Sequence, residues 1–369
     1  MQRRTFLEKA VAGAGAMGAA TSFPAPAIAQ SMPSVNWRMA SSFPKSLDTI
    51  FGASERIAKR VEEATDGKFK IRVFAAGELV PGLQVLDAVQ GGTVECGHSA
   101  GGYYAGKDMT FGFDVNVPFG MNARQQAAWM LFGGGHELMR DLYKEYNIIN
   151  FMAGNTGAQM GGWFRKDVKT AEDLKGLKFR IGGFGGPVMA KLGVIPQMIP
   201  GGDVYISLEK GTIDGAEWIG PYDDEKLGFY KIAKYYYYPA WWEGSAQLSL
   251  FCNIDAFNKL PKIYQAILEA ACHEAQMWMM AKYDAQNPAA LRRLVAGGTQ
   301  LRPFSRAIME AAYKAANELY AELSAKNPRF KKVYESWLPF RDEQILWWRV
   351  AEYSFESFMI AATTNRSGR

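Results

Sequence analysis

Hydrophobic and polar positions follow two periods in turn along this chain, a strand period and then a helix period. Residues 68–73 place apolar side chains at Phe69, Ile71 and Val73, alternating with lysine and arginine. Residues 35–40 read as an earlier strand, 47–64 as an amphipathic helix entered after Pro44, 82–90 as a shorter helix and 94–97 as the next strand. That succession predicts an α/β unit with ligand groups on loops at strand ends. The loop carrying His98, Tyr103 and Tyr104 is one such end.

Residues 123–146 read as a helical connection, and strand character resumes at 148–153 and 160–165, around Asn155 and Gln159. A second α/β unit follows through Thr170 and Asp173, an N-cap and first turn, into a strand ending at Arg180. Later strands are expected at 214–218, 234–238 and 247–252, so the chain should pass between its units more than once. From Pro261 onward the spacing is helical, as at Ile263, Ile267, Ala271 and Trp278, with breaks expected near Pro288, Gly297, Pro303 and Pro328. The last helix, about 342–360, is apolar on several sides, with Trp347, Trp348, Val350, Phe355 and Phe358 among its residues. Such a helix needs more than one partner surface. The reading favoured from sequence is that both domains clasp it; the alternative is a second protomer.

At 369 residues the chain exceeds a usual single core, which predicts two domains. Residues 1–29 read as an export signal: Arg3-Arg4 and Phe6-Leu7 precede an apolar run, and Ala27-Ile28-Ala29 offers a cleavage site. The paired arginines favour the twin-arginine route over the Sec route, with the periplasm as destination. No later segment has the roughly 18 consecutive apolar residues of a membrane span, so the mature chain is expected to be soluble. Its charge, +5 for the whole chain, falls to +3 without Arg3, Arg4, Glu8 and Lys9, too mild to imply nucleic acid. Cys96, Cys252 and Cys272 lie in no CxxC arrangement and read as buried free thiols, a Cys252–Cys272 disulfide being the alternative.

Candidate chemistry concentrates at Arg180 and at Glu217-Trp218, each ending a short strand beside glycines. An arginine fork near a carboxylate and an indole suits a small carboxylate, with the acid available to hold a cation. This is binding chemistry, and no catalytic residue is assigned. Cys96 and His98 lack a third orienting group, and Gly133-Gly-Gly-His136-Glu137 lacks the second histidine of H-E-x-x-H, so a helix break is the better reading. Tyr235 to Tyr238 with Trp241-Trp242 read as packing rather than a sugar platform.

Trp37-Arg-Met-Ala-Ser-Ser-Phe43, Ala76-Gly-Glu-Leu-Val80, Asp87 to Glu95, Asp173-Leu-Lys-Gly-Leu-Lys-Phe-Arg180 and Leu208-Glu-Lys-Gly-Thr-Ile-Asp-Gly-Ala-Glu217 together resemble the solute receptors of tripartite ATP-independent periplasmic (TRAP) transporters. Gly215-Ala-Glu-Trp218, Gln159 and the stretch ending at Glu243 resemble the subgroup that binds 2-oxo acids or lactate through a metal ion. The resemblance implies a two-domain, periplasmic-binding-protein-like α/β fold with hinge-linked mixed sheets and a long C-terminal helical region. Residues 30–152 with part of 240–300 would form the first domain, 153–240 with part of 250–340 the second, and 341–369 a C-terminal helix and possible dimerisation element. It further implies that Arg180 grips the carboxylate with Asn155 and Tyr104, and that Trp218 covers the ligand. Gln159, Glu217, the Trp218 carbonyl and Glu243 would coordinate sodium, with calcium as alternative, and a membrane permease would take the cargo. The competing readings are a metal-free receptor for a C4-dicarboxylate or sugar acid, and an exported carboxylate-processing enzyme.

Overall fold

The computed structural model describes residues 32–364, and the expected export signal lies outside the described residues. In chain order the strands are β1 (Val35–Ser41), β2 (Phe69–Phe74), β3 (Cys96–Ser99), β4 (Ile148–Asn155), β5 (Trp163–Phe164), β6 (Lys178–Arg180), β7 (Ile195–Gln197), β8 (Gly215–Ala216), β9 (Tyr235–Tyr238), β10 (Gln247–Asn253) and β11 (Gln300–Pro303). They form two mixed sheets, ordered β2-β1-β3-β10-β4 and β11-β9-β5-β8-β6-β7. Parallel pairing joins β1 to β2 and β3, whereas β10 runs antiparallel to both β3 and β4. All seven residues of β10 are buried, as expected of a strand covered on both faces. The chain leaves the first sheet after β4, builds most of the second, returns as β10, and crosses again to supply β11.

That last crossing is made by the helix Lys262–Ala296. Its earlier turns pack on the first sheet's side, with Trp278 against Gly52 of the Ile50–Ala64 helix and Met279 against Gly154 of β4. Its later turns bind the helix Pro221–Leu227, where the Tyr283 hydroxyl donates to Asp223 at 2.7 Å and Arg293 pairs with Glu225 at 2.6 Å. The helix runs through Pro288, where a break was expected. The ring costs one backbone donor, and packing on both sides of the proline holds the helix together. The helical reading from Pro261 onward also overlooked β11, a four-residue strand whose partner β9 lies more than sixty residues earlier.

The C-terminal region corrects a further expectation. The helix Pro328–Trp348 continues through a π-helical turn at Arg349–Tyr353 into the helix Ser354–Thr364. Its large apolar residues are not clasped: Leu346, Trp347, Val350, Phe355 and Phe358 are 58–69% exposed. Elsewhere the breaks fall as read. Gly134, at φ +83°, separates the helices Ala123–Phe132 and Gly135–Lys144, and Thr170 with Asp173 forms a capping box. Cys96, Cys252 and Cys272 are buried free thiols, the first two directly opposite each other on β3 and β10.

Candidate functional site

Arg180 ends β6, and its parallel neighbour β8 places Glu217 beside it, with the Glu217 N–H donating to the Arg180 carbonyl at 3.1 Å. Both side chains are buried, at 2% and 3% exposure. One guanidinium nitrogen, Nη1, donates to the Glu217 carbonyl at 2.7 Å and to its Oε1 at 2.5 Å. The Gly182 N–H donates to the same Oε1 at 2.7 Å, and Arg180 Nε donates to the Ile199 carbonyl at 3.0 Å. The guanidinium lies 4.9 Å from the centre of a Trp218 ring, a cation–π contact. A buried ion pair of this kind is sustained by further hydrogen bonds, which here come from the Gly182 N–H and the Ile199 carbonyl.

These residues form one wall of a cavity of about 520 Å³ counted to its open mouth. The first sheet's side contributes Phe43, Ile50, Ala100, Tyr103, Val115 and Leu248, so the ligand space lies between the two sheets. Arg180 is the one basic residue on the described wall, and Glu217 and Glu243 are its acids. Burial pushes the Glu243 carboxyl well above its ordinary range, and the charge of Glu217 pushes it the same way, against the pull of Arg180. Glu217 is raised by burial too, with Arg180 and the Gly182 N–H opposing the rise.

Gln159 lies on the same wall, its Nε2 donating to Thr156 Oγ1 at 3.1 Å while its buried Oε1 has no partner. The amide therefore presents an acceptor. Asn155, at the end of β4, is not on the wall; its Oδ1 accepts from Gly157 N–H at 2.9 Å, and its buried Nδ2 has no partner.

Tyr104 is the residue the structure places elsewhere. Its hydroxyl accepts from the Leu86 N–H at 3.1 Å and bonds Ser99 Oγ at 2.9 Å, inside the first sheet's core. Tyr103 lines the cavity instead, its hydroxyl pushed up to about 12 by burial. Adjacent residues in the short helical turn Gly101–Tyr104 point in different directions, and nothing in a Tyr-Tyr pair says which one faces inward. His98 is also off the wall, buried with Nε2 3.2 Å from the Ala153 carbonyl.

The chain that forms this cleft and its buried arginine–glutamate pair can be compared with known families. The bacterial extracellular solute-binding protein family 7, DctP, matches residues 40–327. This chain belongs to that family. It is a TRAP solute-binding protein, a receptor that works outside the cytoplasm, and no described helix is long and apolar enough to cross a membrane.

Among its relatives, a monocarboxylate 2-oxoacid-binding periplasmic protein of Nostoc sp. is 55% identical over 327 residues, 89% of this chain and 90% of the relative. A TRAP transporter solute-binding protein of Bordetella bronchiseptica RB50 is 54% identical, covers 90% of this receptor and 99% of that chain, and superposes with a TM-score of 0.89. It crystallised as a mixed-occupancy dimer with copurified calcium and picolinate in one active site and the other apo. A TRAP periplasmic solute-binding protein of Pseudoalteromonas atlantica T6c, solved with sodium and pyruvate, is 40% identical over 88% of this receptor and 99% of that chain, with a TM-score of 0.85.

Proposed function

We propose that this receptor binds a small 2-oxo acid such as pyruvate through Arg180 and a bridging hard cation, and hands it to the membrane permease of a TRAP system. The carrying observation is the mismatch on the cavity wall. Two carboxylates, Glu217 and Glu243, share a buried site with one arginine, and the Gln159 Oε1 acceptor beside them has no partner. An anionic ligand would add to that excess of negative charge, and a cation offsets it.

The residues fit such an ion. Glu217, Glu243, the Gln159 oxygen and the Trp218 carbonyl are all oxygen donors, which suit sodium or calcium. Among the described residues no group of three or more His, Cys, Asp or Glu could hold a metal. Ion and acid would bind together, because the ion would offset the negative charge that the acid adds beside Glu217 and Glu243. The ion's contribution is to neutralise and orient the acid. Arg180 grips the carboxylate, Tyr103 assists it, and Trp218 shuts out water. With no second basic residue on the described wall, a dicarboxylate's other end lacks a partner.

The two sheets with their helices act as lobes that close on the ligand, and the receptor releases its cargo unchanged. The uncovered apolar surface of the C-terminal helices pairs with a second copy of the chain, in keeping with the dimer of the Bordetella relative.

Calorimetric titration of refolded, metal-stripped protein with pyruvate, longer 2-oxo acids, lactate, succinate and gluconate, each with and without Na⁺ or Ca²⁺, tests the assignment. Binding of a 2-oxo acid that requires the cation, and that weakens in Glu243→Gln, is the expected result. Cation-independent binding of succinate or gluconate would overturn it.

A further inference from the structure

Trp218 stands between the ligand cavity and Gly201, the first residue of the helix Gly201–Glu209, which is buried but not on the cavity wall. A Cβ added at Gly201 would lie 2.3 Å from Trp218 Cη2, 2.7 Å from Cζ3 and 2.9 Å from Cζ2. Side-chain carbons do not approach that closely, so the six-membered edge of the indole occupies the space that any other residue at 201 would fill. We propose that Gly201 sets the size limit of the ligand, because the missing side chain lets the Trp218 indole retract from the cavity.

Relief of such a clash by movement of residue 201 is blocked. The Ile199 carbonyl, two residues earlier, accepts from Arg180 Nε at 3.0 Å, and Val204 and Leu208 anchor the helix in the core at 0% exposure. Retreat of the segment would break a bond to the arginine that holds the ligand. The guanidinium stacked on a Trp218 ring restricts the indole on another side. What gives is the indole, by about 1 Å if an ordinary carbon contact of about 3.5 Å is restored, and it moves into the cavity.

A displacement of that size is comparable to one methylene of ligand, and a hydrophobic pocket discriminates by about 10-fold or more per methylene when shape is fixed. Residue 201 therefore acts on selectivity and not on the carboxylate grip. Gly202, the next residue, has nothing within 4 Å of an added Cβ, so the two glycines separate steric filling from loss of backbone freedom.

This inference rests on the 2-oxo acid reading, and the test is ordered to keep the two apart. Wild-type receptor is first titrated with pyruvate, 2-oxobutanoate and 2-oxohexanoate in the presence of Na⁺ or Ca²⁺; binding of none of them overturns the functional reading before any variant is made. Gly201→Ala should then bind pyruvate within about threefold of wild type and lose about tenfold or more in affinity for the longest acid that wild type accepts. Gly202→Ala should leave both unchanged. Replacing Trp218 by phenylalanine in the Gly201→Ala background removes the clashing edge and should restore the longer acid. Equal loss of short and long acids in Gly201→Ala, undiminished binding of the longer acid, or failure of the double variant to regain it would each overturn the proposal.

Discussion

Arg180 and Glu217 are joined twice through a single nitrogen, Arg180 Nη1, which donates to the Glu217 carbonyl at 2.7 Å and to its carboxylate at 2.5 Å. With Nε bound to the Ile199 carbonyl, the plane of the guanidinium is fixed before any ligand arrives. A lysine has neither the plane nor the fork. Arg180→Lys should therefore lose most carboxylate affinity while the protein stays folded, as calorimetry beside circular dichroism will show. Arg180→Ala should also lower thermal stability, because it strands the buried Glu217 carboxylate, an effect of about 3–5 kcal/mol in comparable pairs. Adding Glu217→Gln to Arg180→Ala should recover much of that stability but none of the binding.

Asp48 ties the loop ahead of the Ile50–Ala64 helix to the helix behind Trp218. Its carboxylate accepts from Tyr222 Oη at 3.2 Å, from Lys282 Nζ at 2.8 Å and from Lys226 Nζ. Burial alone would raise its pKa, but the bonds from Lys226 and Lys282 outweigh it and hold Asp48 at about 2. Lys226 and Tyr222 belong to the Pro221–Leu227 helix, so this cluster spans the cleft. Single exposed pairs are worth little, and a three-donor cluster is expected to shift closure by about 3- to 10-fold. Asp48→Asn and Lys226→Gln should weaken ligand binding by that factor and enlarge the radius of the ligand-free protein in small-angle scattering. Lys282→Gln, whose helix already packs on the Ile50–Ala64 helix, should do neither.

Asp114 is a buried carboxyl beside the cavity wall that accepts from Tyr143 Oη at 2.7 Å, Ser249 Oγ at 2.8 Å and Asn150 Nδ2 at 3.3 Å. Burial raises its pKa from 3.8 to about 6, against the pull of those three donors. The native state then holds this proton more tightly than the unfolded chain does. The stabilisation is fully present below the unfolded value and is lost as pH rises through about 6. Wild-type stability should accordingly fall from pH 4 towards pH 7. Asp114→Asn should make that fall shallower without removing it, because burial raises Asp223 and Asp224 to about 6 and about 7 as well. The variant should gain up to about 3 kcal/mol over wild type at pH 8. Denaturant melts of both proteins across this range provide the comparison.

The C-terminal helices expose Leu346 at 64% and Phe355 at 64%. If a second copy covers them, Leu346→Glu with Phe355→Glu should turn a dimer into a monomer in sedimentation velocity and leave ligand affinity unchanged. A wild-type protein that sediments as a monomer at micromolar concentration would rule the pairing out.

Much of the site was legible in the sequence because its parts are local. Arg180, Glu217 and Trp218 each sit at the end of a short strand beside glycines, and β6 and β8 are neighbours, so the motif that names them also brings them together. Gln159 and Glu243 join the same wall, and the glycine break at Gly134, the capping box at Thr170 and the buried thiols follow from local chemistry or simple burial.

What the sequence alone determined is therefore the succession of strand and helix and the chemistry of one wall of the cleft, because backbone period and side-chain type act over a few residues. The tertiary structure decided the rest. It chose Tyr103 over Tyr104, carried a helix through Pro288, paired β11 with β9, placed Gly201 behind Trp218 and Asp48 against Lys226, and left the C-terminal apolar helices uncovered. Each of these depends on which distant surfaces pack together, and packing between residues far apart in the chain has no signature at either one.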